Sequence, residues 1–173
     1  VWFTGLSSSG KSTLAEGLLK ALHSRGVKAE WLDGDRVRKA FWPDLGFSQQ
    51  DRDNNVLRLG HLARLLTRNG VIAVVSVISP YQIVREQVRW WQEQPFLQVY
   101  VEAPLEVCQS RDVKGLYRRA RLGVVQHLTG VDDPYEPPLN PDLVCHTGTE
   151  SIEESVAKVV DCVMSKIQGV TVL

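Results

Sequence analysis

No C-x-x-C pair occurs among the three cysteines Cys108, Cys145 and Cys162, and the four histidines form no metal-like grouping. A disulfide framework and a structural zinc site are thereby excluded, and reduced, buried thiols are expected, as in a cytoplasmic protein. Long apolar runs are also missing. The longest, Val71 to Ile78, is far too short to span a bilayer, and no signal-peptide pattern appears. Nor does charge of one sign dominate: 20 basic residues balance 20 acidic ones. No global field draws nucleic acid or a membrane, so any anion site must come from local clusters. Internal repeats, low-complexity segments and an Asn-Lys-x-Asp guanine-reading motif are all lacking.

What is present alternates. Short β-rich runs at Val1–Thr4, Val27–Leu32, Val71–Ile78, Phe96–Glu102 and Asp142–His146 are separated by helical periodicity. That order argues for βαβ units around a parallel sheet, with Val71–Ile78, apolar on both faces, as a central strand. Leu14, Leu18, Ala21 and Leu22 mark one helix face, closed by Gly26; Val56, Leu59, Ala63 and Leu66 mark another, closed at Asn69-Gly70. Ser151 to Glu154 reads as a capping box. At 173 residues the chain forms one domain, 1–173, of α/β class: a three-layer, doubly wound parallel sheet. Residues 111–141 stand apart, basic and then rich in Gly and Pro, and predict a mobile lid over roughly 111–136. The chain opens directly on its first strand, which leaves room for a longer native protein.

The motif that carries chemistry is Gly5-Leu6-Ser7-Ser8-Ser9-Gly10-Lys11-Ser12-Thr13, a G-x-x-x-x-G-K-[ST] phosphate loop between a strand and an amphipathic segment. Gly5 and Gly10 let the backbone wrap an anion, and the following helix adds the positive end of its dipole. Lys11 is placed to reach β- and γ-phosphates, and the Ser12 hydroxyl to take a position on Mg²⁺. Nucleoside-triphosphate binding is expected.

Other residues narrow the reaction. Val71–Ile78 ends in Ile78-Ser79-Pro80 and lacks a Walker-B aspartate. Carboxylates appear instead in Asp33-Gly34-Asp35, at a strand end that faces the ligand crevice of an open sheet. They are placed to hold Mg²⁺ or take a proton from an acceptor hydroxyl, and Asp35 is read as the acting one. Arg36-Val37-Arg38, Phe47-Ser48 and Asp51 to Asn55 mix guanidinium groups, an aromatic face and amides, suited to a phosphate-bearing nucleotide. Arg111, Lys114, Arg118, Arg119 and Arg121 can close over a triphosphate. Ser79 before Pro80 suits an N-cap with proline at N1. A covalent phosphoserine role is open to Ser79 but unneeded, since in-line transfer is available.

Together these segments resemble the adenylylsulfate kinase (APS kinase) family over essentially the whole chain. The match runs through the phosphate loop, Leu32 to Asp35 with Arg38, Gly46-Phe47-Ser48 with Arg52 and Asn55, and Ile78-Ser79-Pro80-Tyr81. It continues through Arg111-Asp112-Val113-Lys114-Gly115-Leu116-Tyr117, Thr129-Gly130 and Pro134-Tyr135-Glu136. The resemblance implies transfer of the ATP γ-phosphate to the 3′-hydroxyl of adenosine 5′-phosphosulfate (APS), giving PAPS and ADP. It implies Mg²⁺ with ATP, a homodimer, and a cytoplasmic sulfate-assimilation enzyme. By matching position, Lys11, Asp35 and Lys114 are catalytic and Arg111 joins the ATP site. Asp35, Arg38, Phe47, Arg52, Asn55, Ile78, Ser79, Lys114 and Leu128 form the APS site. An ATP sulfurylase domain is the further partner that a longer chain would carry.

Three departures stand out. Ser8 replaces a usual glycine or alanine, Leu128 replaces a phenylalanine before Thr-Gly, and no cysteine precedes Cys108. An aliphatic side chain at 128 removes one face of an expected adenine sandwich, and stacking is worth roughly 1–3 kcal/mol per base. The alternatives are another small-molecule kinase or a non-catalytic nucleotide-binding module. Phe47 speaks for an acceptor that carries a base, and the intact Lys11, Ser12 and Asp35 set speaks against the module.

Overall fold

A computed structural model describes residues 1–170 of the chain. The strands are β1 (Trp2–Thr4), β2 (Ala29–Asp33), β3 (Ile72–Ser76), β4 (Gln98–Glu102) and β5 (Leu143–His146). The helices are α1 (Lys11–His23), α2 (Gly34–Phe41), α3 (Gln49–Arg68), α4 (Gln82–Trp91), α5 (Leu105–Arg111), α6 (Leu116–Arg121) and α7 (Ile152–Val170). All pairings are parallel, in the order β2-β3-β1-β4-β5. The phosphate loop therefore leaves the middle strand, and β2 and β3 lie to one side of it.

Side chains alternate across the sheet and feed two cores. Trp2 joins Val75, Leu59 and Val88 beneath α3 and α4, whereas Phe3 joins Leu14, Leu18, Val99 and Val159 beneath α1 and α7. This is the expected three-layer arrangement. A third, smaller cluster of Ala103, Cys108, Tyr117 and Leu128 sits outside the sheet, with Leu6 against it.

Local signals set most boundaries. Gly26 takes φ +71°, and the Val27 amide donates back to the Leu22 carbonyl, so Val27 and Lys28 belong to the turn and β2 starts at Ala29. The strand at Ile72 stops at Ser76, two residues short of the expected Ile78. Ser48 and Asp51 form a reciprocal capping box on α3, and Ser151 and Glu154 exchange the same bonds ahead of α7. Two expectations need correction. Ser79 does not cap a helix: α4 begins at Gln82, and Ser79 itself adopts φ +43°. The segment after Arg111 is not irregular throughout. Asp112 accepts from the Tyr117 and Arg118 amides and so starts α6, whose Tyr117 is buried in the third cluster.

Candidate active site

Every strand points its C-terminal end at one crevice of about 540 Å³, within the range of small-molecule clefts. Its floor is the loop between β1 and α1. Gly5 (φ +150°) must be glycine, since a Cβ there would lie 2.4 Å from the Val101 carbonyl oxygen. Gly10 (φ +106°) turns the chain into α1 in a left-handed conformation. Lys11 folds over the loop: its Nζ donates to the Gly5 and Leu6 carbonyls at 2.9 and 2.6 Å. Burial, seconded by repulsion from Lys114, lowers its pKa to about 8.

Asp33 ends β2 in register with Ser76 of the neighbouring strand. Its Oδ1 accepts from the Arg36 amide and caps α2; its Oδ2 accepts from the hydroxyls of Ser12 at 3.1 Å and Ser76 at 3.2 Å. The buried carboxylate missing from the end of β3 is thus supplied from β2, beside Ser12. Sequence reading placed Asp33 at the crevice but favoured Asp35. What could have separated them is the helix cap, which draws the first carboxylate inward and leaves the second out. The oxygen donors of Ser12 and Asp33 suit Mg²⁺. Among the described residues no cluster of three His, Cys, Asp or Glu is formed.

Asp35 stands exposed in the first turn of α2 and forms an ion pair with Lys114, which follows α5. The contact spans the mouth of the crevice. Both side chains stay about half exposed or more (72% and 49%), so the pair contributes at most about 1 kcal/mol and can open readily. Arg111 donates to the Thr147 carbonyl on the far rim.

The facing wall comes from α2, α3 and the segment after α6. Arg38 donates to the Leu45 and Gly46 carbonyls, and its guanidinium lies 4.3 Å from the centre of the Phe47 ring. That ring is 66% exposed, with its other face open. Asn55 is buried; its Oδ1 accepts from Trp42 Nε1 at 2.8 Å. Ile78 lines the crevice, and its carbonyl accepts from the Thr4 hydroxyl. Ser79 is almost wholly enclosed, and its hydroxyl accepts from Trp2 Nε1 at 3.1 Å. Leu128 also lines the crevice while packing on Tyr117 and Cys108. Arg52 is the surprise. It donates to the Phe47, His127 and Thr129 oxygens and pairs with Asp133 at 3.1 Å, which makes it a strut under the segment 127–133. All the predicted residues except Gly5, Leu6 and Ser9 line the one crevice, and those three complete the loop beneath it.

Fold and site together define a phosphate-loop phosphotransferase with a second, arginine- and aromatic-lined subsite. Residues 1–146 match the family model described as adenylylsulphate kinase. The chain is 53% identical over 169 residues to the adenylyl-sulfate kinase of Synechococcus sp. (strain JA-3-3Ab), covering 98% of this chain and 93% of that protein. It is 55% identical over 159 residues to that of Microcystis aeruginosa (strain NIES-843 / IAM M-2473), covering 92% and 87%. Among solved structures it superimposes on the Mycobacterium tuberculosis APS kinase CysC in complex with AMPPNP and APS. There the TM-score is 0.90 and the identity 42%, covering 94% of this chain and 95% of that one. The chain belongs to the adenylylsulphate kinase family.

Proposed function

We propose that the protein transfers the γ-phosphate of ATP to the 3′-hydroxyl of APS, giving PAPS and ADP. The observation that carries this reading is the meeting of two anion subsites in one crevice. One is a phosphate loop with Lys11 and Ser12; the other is a wall bearing Arg38, Phe47 and Asn55. ATP lies along residues 5–13, with amides and Lys11 on its β- and γ-oxygens and Arg111 beside it. APS lies against Phe47 and Leu128, its charges met by Arg38, Arg52 and Lys114. Mg²⁺ held near Ser12 and Asp33 supplies charge neutralisation for the β- and γ-phosphates when bound.

In the transfer, the 3′-oxygen bonds to the γ-phosphorus as the bond from that phosphorus to the bridging oxygen of ADP breaks. Asp35 orients the hydroxyl and accepts its proton once Lys114 turns from the carboxylate to the acceptor. The lid over roughly 111–136 closes and excludes water, which limits ATP hydrolysis. Ser79 serves by position, since in-line transfer leaves a covalent phosphate carrier unneeded; its enclosed hydroxyl accepts from Trp2 Nε1. The protein acts as a single domain within a homodimer, in the cytoplasm, and can accompany an ATP sulfurylase. ATP turnover with and without APS tests the reading: PAPS must appear with APS present. ADP release that ignores APS, or requires gluconate or shikimate instead, would overturn it.

A further inference from the structure

We infer that Tyr117, on the lid helix α6, is a positioning residue for the phosphate loop: it holds the Ser7–Ser8 peptide so that the Ser8 amide faces the nucleotide. The inference rests on the proposed ATP site. Tyr117 is 1% exposed, and its hydroxyl donates to the Ser7 carbonyl at 3.0 Å across 110 residues of sequence. In a trans peptide the C=O and the next N–H point in opposite directions. A hydroxyl that fixes the Ser7 carbonyl on the lid side therefore fixes the Ser8 N–H on the crevice side, where Ser8 lines the cavity. That amide has no protein acceptor among the described residues, as a donor reserved for a phosphate should not.

The tether matters because of what Ser8 is. It adopts φ +60°, a left-handed conformation that disfavours any residue with a Cβ. Turning the Ser7–Ser8 peptide over would carry that angle to about −120°, a negative φ free of the left-handed cost. The same turn would point the N–H away from the nucleotide. The loop is held elsewhere, by the Ser9 amide on the Leu6 carbonyl, Lys11 on Gly5 and Leu6, and Thr147 on the Ser9 carbonyl. For the Ser7 carbonyl, Tyr117 is the one partner among the described residues. Tyr117 is itself fixed by packing on Cys108 and Leu128, and by its amide on Asp112. A glycine at position 8 would feel no strain and would need the tether far less.

The test is equilibrium binding of AMPPNP to the full chain, by calorimetry, for wild type, Tyr117→Phe, Ser8→Gly and the double variant, with APS KM measured alongside. Tyr117→Phe should weaken AMPPNP about three- to tenfold, the range one neutral hydrogen bond supplies, and move APS KM less than twofold. In the Ser8→Gly background the same change should cost less than twofold. An unaltered affinity in Tyr117→Phe, or an equal loss in both backgrounds, overturns the inference. The unmodified protein gives a second measurement that holds even if a variant fails to fold. AMPPNP should slow hydrogen exchange at the Ser8 amide, and an unprotected amide in the complex also overturns it. Lys11→Ala separates the two levels: if it too leaves AMPPNP binding intact, the ATP-site reading itself fails.

Discussion

At the scale of single residues, Lys11 is an ammonium held at a cost until a phosphate arrives. Enclosure lowers its pKa to about 8, and Lys114 adds repulsion. Phosphate oxygens beside it favour the charged form, so binding raises that pKa and takes up a proton. Nucleotide affinity should therefore be full below about pH 8 and fall as pH rises through it. Calorimetry of AMPPNP in two buffers of different ionisation enthalpy should report proton uptake near pH 8, and none would contradict the assignment. Arg52 makes a second case. Its guanidinium already braces the His127 and Thr129 oxygens and Asp133. Arg52→Ala should raise APS KM at least tenfold, since both a charge for the acceptor and the brace of its wall are lost, while ATP KM moves little. An unchanged APS KM would remove Arg52 from the acceptor site. The sequence made these residue types legible as a set, because guanidinium groups, amides and an aromatic cluster within 20 positions. It did not show that Asp33 turns inward to Ser12 and Asp35 outward to Lys114. That sorting depends on a cap bond and on a partner 79 residues away.

Among the elements, α4 shows where pattern reading runs out. Its exposed positions include Ile83 and Trp90, while Arg85 is enclosed at 1% exposure beside the core residues Val84 and Val88, an exception on both faces to an amphipathic stripe. Arg85 is buried because it joins three pieces of chain. It donates to the Ser79 carbonyl, the Gln82 side chain and the Glu136 carbonyl, each at 2.6–2.7 Å, and lies over the Tyr135 ring. Glu136 in turn bonds the Pro80 carbonyl and the Gln82 amide. Tyr135 and Glu136 are thereby fastened to the strained turn at Ser79. Arg85→Met keeps the volume but strands two carbonyls, at about 1–3 kcal/mol each. Chemical denaturation should show a loss of roughly 2–5 kcal/mol, and a loss under about 0.5 kcal/mol would mean the clamp is ornamental. The longer helices were legible because their apolar stripes and caps agree. The six-residue α6 was not: it is too short for a period to register, and it exists by virtue of Asp112 and the burial of Tyr117.

For the whole molecule, the alternation of strand and helix announced a parallel sheet, but not that β1 would lie at its centre. Strand order is set by contacts across the full chain. The register of β1 against both β3 and β4 puts the phosphate loop, Asp33 and Ser79 on one rim. The segment after α5 meets that rim through Tyr117 on the loop and Lys114 on Asp35 of α2. A site built this way binds its substrates to the folded state alone. AMPPNP at a hundred times its Kd should therefore stabilise the protein by about 2.7 kcal/mol, seen as a raised Tm. The most direct test of the central claim follows product formation from ATP, APS and Mg²⁺ together, with each left out in turn, by chromatography with mass detection. The account predicts PAPS and ADP in equal amounts when all three are present, and next to no ADP when APS is withheld. ADP formed at the same rate without APS, or no PAPS from the complete mixture, would contradict it.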